Sequence, residues 1–294
     1  MSHPLARRWY STRPAPLPLR PLAWLYAGIA DARAARQRAA ARHLPVPVIV
    51  VGNVAVGGTG KTPCTLWLVE KFRDLGNFPG ILSRGHGGGG PFPCKVETDT
   101  PAATCGDEPA LLKRRAQVPL VCAPDRVAAG HALLAAHPEV DVLVCDDGLQ
   151  HYALARDMEF CVIDAARGFG NGWRLPAGPL RDPPERANAC ELLLVNGGEA
   201  TPYGPKALRF DLLGGLACRV GDGEQRALAE FVGARVCAVA GIGRPQRFFD
   251  MLAAHGLAPE CRAFADHHRY RAADLAFAGD APVLMTEKDA VKCE

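Results

Sequence analysis

The chain has 294 residues, 48% of them hydrophobic and 22% charged, with a formal net charge of +3. This is an ordinary soluble globular composition, rich enough to bury a sizeable core and long enough for two domains. None of the eleven cysteines forms a C-x-x-C pair and no signal-peptide cleavage pattern is present, which argues against a zinc site and a disulfide frame. Cys122, Cys145, Cys161 and Cys237 fall inside apolar strand-like runs, as buried free thiols of a reducing cytosol do.

The positive charge is concentrated at the start. Before Pro45, eight arginines stand against Asp31 alone, so that segment carries +7 and the remainder −4. Residues 17–30 form an apolar stretch among these arginines, shorter without charge than the roughly 20 residues of a bilayer span. Trp24, Tyr26 and the aliphatic side chains beside arginines fit a helix lying on an anionic membrane surface. A first helix packed on the domain with a solvated arginine face is the competing reading. No basic stripe recurs later, so nucleic acid is not an expected partner.

The next element carries the most information. The apolar run 46–51 reads as a buried strand and 63–70 as a helix, and between them stands Gly57-Gly58-Thr59-Gly60-Lys61-Thr62. Strand, glycine loop and helix in that order present backbone N–H groups and a helix N-terminus to phosphates, with a Lys for the β/γ oxygens and a hydroxyl for Mg²⁺. ATP or GTP binding is expected. The pattern G-x-x-x-x-G-K-[ST] asks for glycine at position 55, where Ala55 stands; Gly52 and the pair Gly57-Gly58 supply backbone freedom nearby.

Short β-branched runs recur at 80–83, 118–122, 141–145, 160–164 and 192–196, with helix-permissive stretches between several of them. The alternation predicts an α/β fold, a mostly parallel sheet sandwiched by helices, with ligands beyond the carboxyl ends of its strands. Candidate site segments therefore follow strands: the Gly57 loop, residues 83–88, Asp146-Asp147-Gly148 and the turn at Asp164. Gly106-Asp107-Glu108 precedes another helical stretch; Asp107 is either a helix cap or a base for a hydroxyl acceptor. Residues 142–147, an apolar strand ending in Asp146 and Asp147, have the form of a Mg²⁺-holding Walker B element. Asp146 is the stronger metal candidate and Asp147 the outer one, although spacing does not separate them.

After Asn196 the texture changes. Residues 208–213 and 216–220, separated by Gly214-Gly215, read as a two-stranded hairpin within a linker at 201–225. A smaller αβ unit follows, with strands near 236–240, 262–265 and 283–286. Asp266-His267-His268 lacks a third ligand cluster, so metal binding is disfavoured; His267 is either an exposed loop histidine or the partner that orients a carboxylate base. Thr286-Glu287-Lys288-Asp289 departs from the guanine-reading N-K-x-D motif, having no residue between Lys and Asp. Val56 departs from the lysine of ParA-type ATPase loops.

Collinear with these features are further signatures: Ser83-Arg84-Gly85, Gly106-Asp107-Glu108, Asp146-Asp147-Gly148-Leu149-Gln150-His151, Leu175-Pro176-Ala177-Gly178-Pro179-Leu180-Arg181, Asp266-His267 and Met285-Thr286-Glu287-Lys288-Asp289-Ala290-Val291-Lys292. Together the chain resembles the tetraacyldisaccharide 4′-kinase family, the lipid A 4′-kinases of Gram-negative bacteria, over nearly its whole length. The resemblance implies ATP- and Mg²⁺-dependent phosphorylation of the 4′-hydroxyl of a tetraacylated glucosamine disaccharide 1-phosphate, giving lipid IVA at the cytoplasmic face of the inner membrane.

It also implies a P-loop domain joined by a two-stranded linker to a smaller domain. The expected boundaries are a membrane-associating region at 1–43, a kinase domain at 44–200, the linker at 201–225 and a smaller αβ domain at 226–294. Position by position, Gly57, Gly58, Thr59, Gly60, Lys61 and Thr62 cradle ATP, with Thr62 also on Mg²⁺. Asp146, Asp147 and Glu108 make up the rest of the metal group, Arg181 contacts nucleotide or phosphate, Asp107 is the base and His267 its partner.

Relatives share the missing glycine at position 55. They often carry Tyr where this chain has His86 and Glu where it has Asp182, and they usually continue past the last motif, so a further terminal segment is expected after Glu294. Another small-molecule P-loop kinase and a nucleotide-dependent regulatory ATPase are the rival readings.

Overall fold

A computed structural model of the protein describes residues 4–11 and 13–293. After a short helix α1 (Pro4–Trp9), α2 (Arg20–Ala39) leads into β1 (Val48–Gly52), α3 (Lys61–Asp74), β2 (Pro79–Ser83), β3 (Cys94–Lys95), α4 (Ala102–Cys105), α5 (Asp107–Ala116), β4 (Leu120–Cys122), α6 (Arg126–Ala136) and β5 (Val142–Asp146). Then come β6 (Met158–Asp164), α7 (Pro184–Asn188), β7 (Leu192–Asn196) and β8 (Ala207–Phe210). These eight strands form one sheet in the order β3-β4-β2-β5-β1-β6-β7-β8, parallel throughout except for β3.

The near-continuous apolar character of β1, β2 and β5 reflects burial on both faces, every residue of each being enclosed. Side chains such as Ile81, Leu82, Leu143 and Ile163 are shut away from water, each worth about 1.5–3 kcal/mol of burial. From β1 the chain moves outward to β2 and β4, then returns to β5. Right-handed crossovers therefore put α3 and α5 on one face and α6 on the other. That reversal of direction places β1 and β5, and the loops that follow them, side by side at the carboxyl edge where such sheets bind ligands.

The chain divides into two compact units at Leu212/Leu213. The smaller unit holds β9 (Leu216–Cys218) and β10 (Gln225–Ala227) as an antiparallel pair. It continues through β11 (Cys237–Ala240), α8 (Pro245–Ala254), β12 (Glu260–Ala263), α9 (Ala272–Leu275), β13 (Val283–Met285) and α10 (Glu287–Ala290), with a three-stranded parallel sheet ordered β12-β11-β13. Its core gathers Leu228, Phe231, Phe249, Leu252 and Leu284.

The hairpin expected across Gly214-Gly215 is corrected. Residues 207–210 instead pair in parallel with β7 as the last strand of the large sheet. Neither glycine takes the positive φ that a tight hairpin turn needs, whereas Gly223, in the turn that does join β9 to β10, has φ +77°. The open edge of β7 offers backbone partners far along the chain, and that long-range pairing wins over the local turn.

α2 packs on the larger unit. Ala23 and Ala34 are buried, Trp24 meets Trp173 at 6.3 Å, and Arg174 donates to Asp31 at 2.8 Å. Its outer side still shows Leu22, Trp24, Leu25 and Ile29 to solvent. Packing and an exposed apolar face thus coexist. Among the described residues, no helix is long and apolar enough to cross a membrane.

Candidate active site

β1 delivers the chain into the glycine loop. Gly57 and Gly60 adopt φ of +107° and +101°, a left-handed region costly to other residues. Ala55 does not: its N–H bonds Asn53 Oδ1 at 3.0 Å and it bridges Leu180, so glycine is not required there. A Cβ at Gly60 would lie 2.6 Å from Asn196 Nδ2, which donates to the Thr59 carbonyl at 2.9 Å and props the loop from the end of β7. Thr59 Oγ1 is buried without a hydrogen-bond partner, a donor free for a ligand at the loop. Lys61 opens α3, and its ammonium stands 3.6 Å from Asp147 Oδ1.

Asp146 and Asp147, adjacent at the end of β5, are held in opposite electrostatic states. Burial alone would raise the Asp147 carboxyl, but Lys61 and Arg181 outweigh it and hold it well below the usual carboxylate range. Arg181 grips Asp147 with two bonds, Nη2–Oδ1 at 3.0 Å and Nη1–Oδ2 at 3.3 Å, while Nη2 also donates to the Asn53 carbonyl. Asp146, 1% exposed, is pushed up to about 7 by burial and by the charges of Glu108 and Asp147. Its Oδ1 accepts from Thr65 Oγ1 at 2.9 Å. The two acids, equivalent in their spacing, thus stand in different electrostatic surroundings.

Asp107 is the first residue of α5, not its cap: Gly106 occupies the cap position. The helix-cap alternative therefore does not apply. The Gly89 and Gly90 amides donate to the Ala103 and Thr104 carbonyls at 2.8 and 3.1 Å, tying the segment after Ser83-Arg84-Gly85 to the one that presents Asp107 and Glu108. Gln150 Nε2 donates to both the Asn53 carbonyl (2.9 Å) and Asp182 Oδ2 (2.7 Å), so the shorter acid at position 182 is still reached. His151 is a structural acceptor for the Arg126 N–H at 3.2 Å; burial and Arg126 lower its pKa to about 4 and keep it neutral.

His267 belongs to the smaller unit. It has φ +60° and donates its backbone N–H to the Gly241 carbonyl at 3.1 Å. Its neighbour His268 is occupied otherwise, bonded to Asp274 at 3.0 Å and stacked on Phe264 at 4.6 Å. Among the described residues no cluster of three or more His, Cys, Asp or Glu could hold a metal by itself.

Sequence reasoning missed Thr65 and Asn196. Thr65 lies four residues after Lys61 on the same helical face, a spacing that could have revealed it. Asn196 carries no such signal beyond ending a strand. A cavity of about 430 Å³ opens elsewhere, at the start of β6, where Arg38, Arg156 and Arg186 surround Tyr152 and the latter two bond Glu159. It lies at the opposite end of that strand from the phosphate loop and takes no part in this site.

A parallel sheet with a glycine loop after β1, an acid pair after neighbouring β5 and cations converging on that pair define a P-loop phosphotransferase. The family model for LpxK, tetraacyldisaccharide-1-P 4′-kinase, matches residues 15–294. The tetraacyldisaccharide 4′-kinase of Dechloromonas aromatica is 53% identical, over 98% of this chain and 88% of the relative. That of Stenotrophomonas maltophilia is 52% identical, over 97% and 86%. The crystal structure of LpxK from Aquifex aeolicus in complex with ATP superposes with a TM-score of 0.77 at 28% identity, covering 92% of this chain and 88% of that one. The chain belongs to the tetraacyldisaccharide 4′-kinase family.

Proposed function

We propose that this chain moves the γ-phosphoryl group of ATP onto the 4′-hydroxyl of a tetraacylated glucosamine disaccharide 1-phosphate, the lipid A kinase step that yields lipid IVA. The observation that carries the reading is the acid pair of β5: Asp147 ionised and claimed by Lys61 and Arg181, Asp146 buried with a raised proton affinity beside the glycine loop.

Lys61, the Thr59 hydroxyl and the amides of residues 57–62 bind and orient the triphosphate. Asp147 sets the place of both Lys61 and Arg181. Mg²⁺ fits this donor set: the groups are oxygens, and a buried carboxylate that holds a proton near neutrality favours a cation in the proton's place. Thr62, Asp146 and Glu108 would hold it, with phosphate oxygens and water completing the shell, and Asp147 would act through its cations. When bound, the ion neutralises charge on the β and γ oxygens.

Asp107 takes the 4′-hydroxyl proton as the hydroxyl oxygen bonds to phosphorus; the bond to the β-bridging oxygen breaks and its electron pair leaves with ADP. His267 is proposed as a further proton-handling group of the same step. The exposed apolar side of α2, with the surrounding arginines, would rest on the cytoplasmic face of the inner membrane, where the acyl chains of the acceptor lie.

The direct test supplies γ-labelled ATP, Mg²⁺ and the disaccharide 1-phosphate lipid. Label should appear in the lipid at the 4′ position. Label released only to water would return the chain to the regulatory ATPase reading.

A further inference from the structure

Two cations predicted from sequence, Lys61 and Arg181, both converge on Asp147, on the β5 side of the phosphate loop. The sheet order places β6 on the other side of β1, so the turn after β6 lies along the opposite flank of the same loop. That turn is compact: the Asp164 carbonyl accepts from the Arg167 and Gly168 amides at 3.0 and 2.8 Å, and Asp164 Oδ1 accepts from the Ala166 amide at 3.1 Å. It brings the Arg167 guanidinium against Gly57, where a Cβ would stand 2.9 Å from Arg167 Nη1. The φ of +107° calls for glycine at 57, and the tip of Arg167 lies in the space beside it.

Arg167 is also held from the N-terminal side. Its Cζ lies 4.8 Å from the centre of the Tyr10 ring, and Tyr10 Oη is 3.5 Å from the Val56 carbonyl of the loop itself. A guanidinium stacked on an aromatic face keeps its planar fork of donors while losing orientational freedom. The amides of such a loop line the β and γ phosphates, so a guanidinium touching Gly57 is within a side chain's reach of the group being transferred.

We propose that Arg167, clamped by Tyr10, is a further catalytic residue of the kinase: a cation supplied in cis that stabilises the charge of the γ-phosphoryl group in flight, on the flank opposite Asp147. The proposal rests on the kinase reading above. Its chemistry is that of a planar, permanently charged fork directed at equatorial phosphoryl oxygens, worth more to the transition state than to bound ATP.

The test compares Arg167→Ala, Arg167→Gln, Arg167→Lys, Tyr10→Phe and Tyr10→Ala with the unaltered full chain. Calorimetry reads affinity for ADP and for Mg·ADP with aluminium fluoride, a mimic of the transferring phosphoryl; turnover is measured alongside. Arg167→Ala should bind ADP within about twofold of normal yet lose roughly 10²–10³-fold in both kcat and affinity for the fluoride complex. Arg167→Gln, which keeps most of the packing on Tyr10 and so guards against a folding defect, should lose nearly as much. Arg167→Lys should recover only part, because an ammonium lacks the fork. Tyr10→Ala should fall by about 3–30-fold and Tyr10→Phe, which keeps the ring but loses the hydroxyl, by less.

The proposal is overturned if Arg167→Gln keeps kcat and fluoride-complex affinity within about threefold of normal. It is equally overturned if ADP affinity falls as far as that of the fluoride complex, which would make Arg167 a ground-state contact. Failure of the kinase reading looks different: the unaltered chain would bind the fluoride complex in an Arg167-dependent way but label no lipid.

Discussion

Asp146→Asn tests the electrostatic account of the site. The Asp146 carboxyl is enclosed, 1% exposed, and burial with the charges of Glu108 and Asp147 moves its pKa from 3.8 to about 7. A shift of about 3 units at 1.36 kcal/mol each corresponds to about 4 kcal/mol between the protonated and ionised native states. The folded value is raised, so the native state binds the proton more tightly than the unfolded chain does. The stabilisation is complete below pH 4, declines as pH rises, and is lost by the time pH passes about 7.

Asparagine is neutral throughout and its amide oxygen can still accept from Thr65. In metal-free buffer at pH 8.5 the variant should therefore be more stable than the unaltered protein by about 2–4 kcal/mol, the lower figure allowing for relaxation around the charge. For a unit of this size that is a rise in Tm of roughly 5–15 °C. Near pH 4 the two should converge. Melting curves by circular dichroism in EDTA across that range measure it, and kinase activity should meanwhile be lost. A variant no more stable than the unaltered protein at pH 8.5, or a difference that ignores pH, would refute the reasoning.

Three other outcomes are expected. Asp107→Ala should lower kcat by about 10²–10⁴-fold with ATP affinity little changed, and near-normal turnover removes Asp107 from the role of base. Gly60→Ala should lower ATP affinity sharply and cost about 1–3 kcal/mol in stability, since it combines φ +101° with a 2.6 Å approach to Asn196 Nδ2; unchanged binding by calorimetry contradicts that loop geometry. Leu22→Glu, Leu25→Glu and Ile29→Glu together sit on exposed positions of α2, so they should leave Tm within a few degrees and ATP binding intact while abolishing sedimentation with anionic vesicles. Undiminished vesicle binding would place the membrane contact elsewhere.

Local signals made much of this protein readable in its sequence. The run from Gly57 to Thr62 between an apolar strand and a helix needs only neighbouring residues to specify it, because turn glycines and hydrophobic periodicity act over a few positions. The same holds for the strand ending at Asp146 and Asp147, and the collinear motifs carried the family.

What required the tertiary structure are the relations between distant segments. Arg181 reaches back across 34 residues to Asp147, Asn196 props Thr59 from 137 residues away, and Arg167 lies on Gly57, because β5, β6 and β7 assemble around β1. Residues 207–210 joined β7 where a local hairpin was expected, since an open strand edge competes with a nearby turn only once the sheet exists. The two neighbouring aspartates, alike in sequence, differ because two cations outweigh burial at Asp147, whereas burial and further carboxylates prevail at Asp146. Composition and spacing made the glycine loop and the acid pair legible; strand order and burial decided which charges meet, because those contacts join segments far apart in the chain.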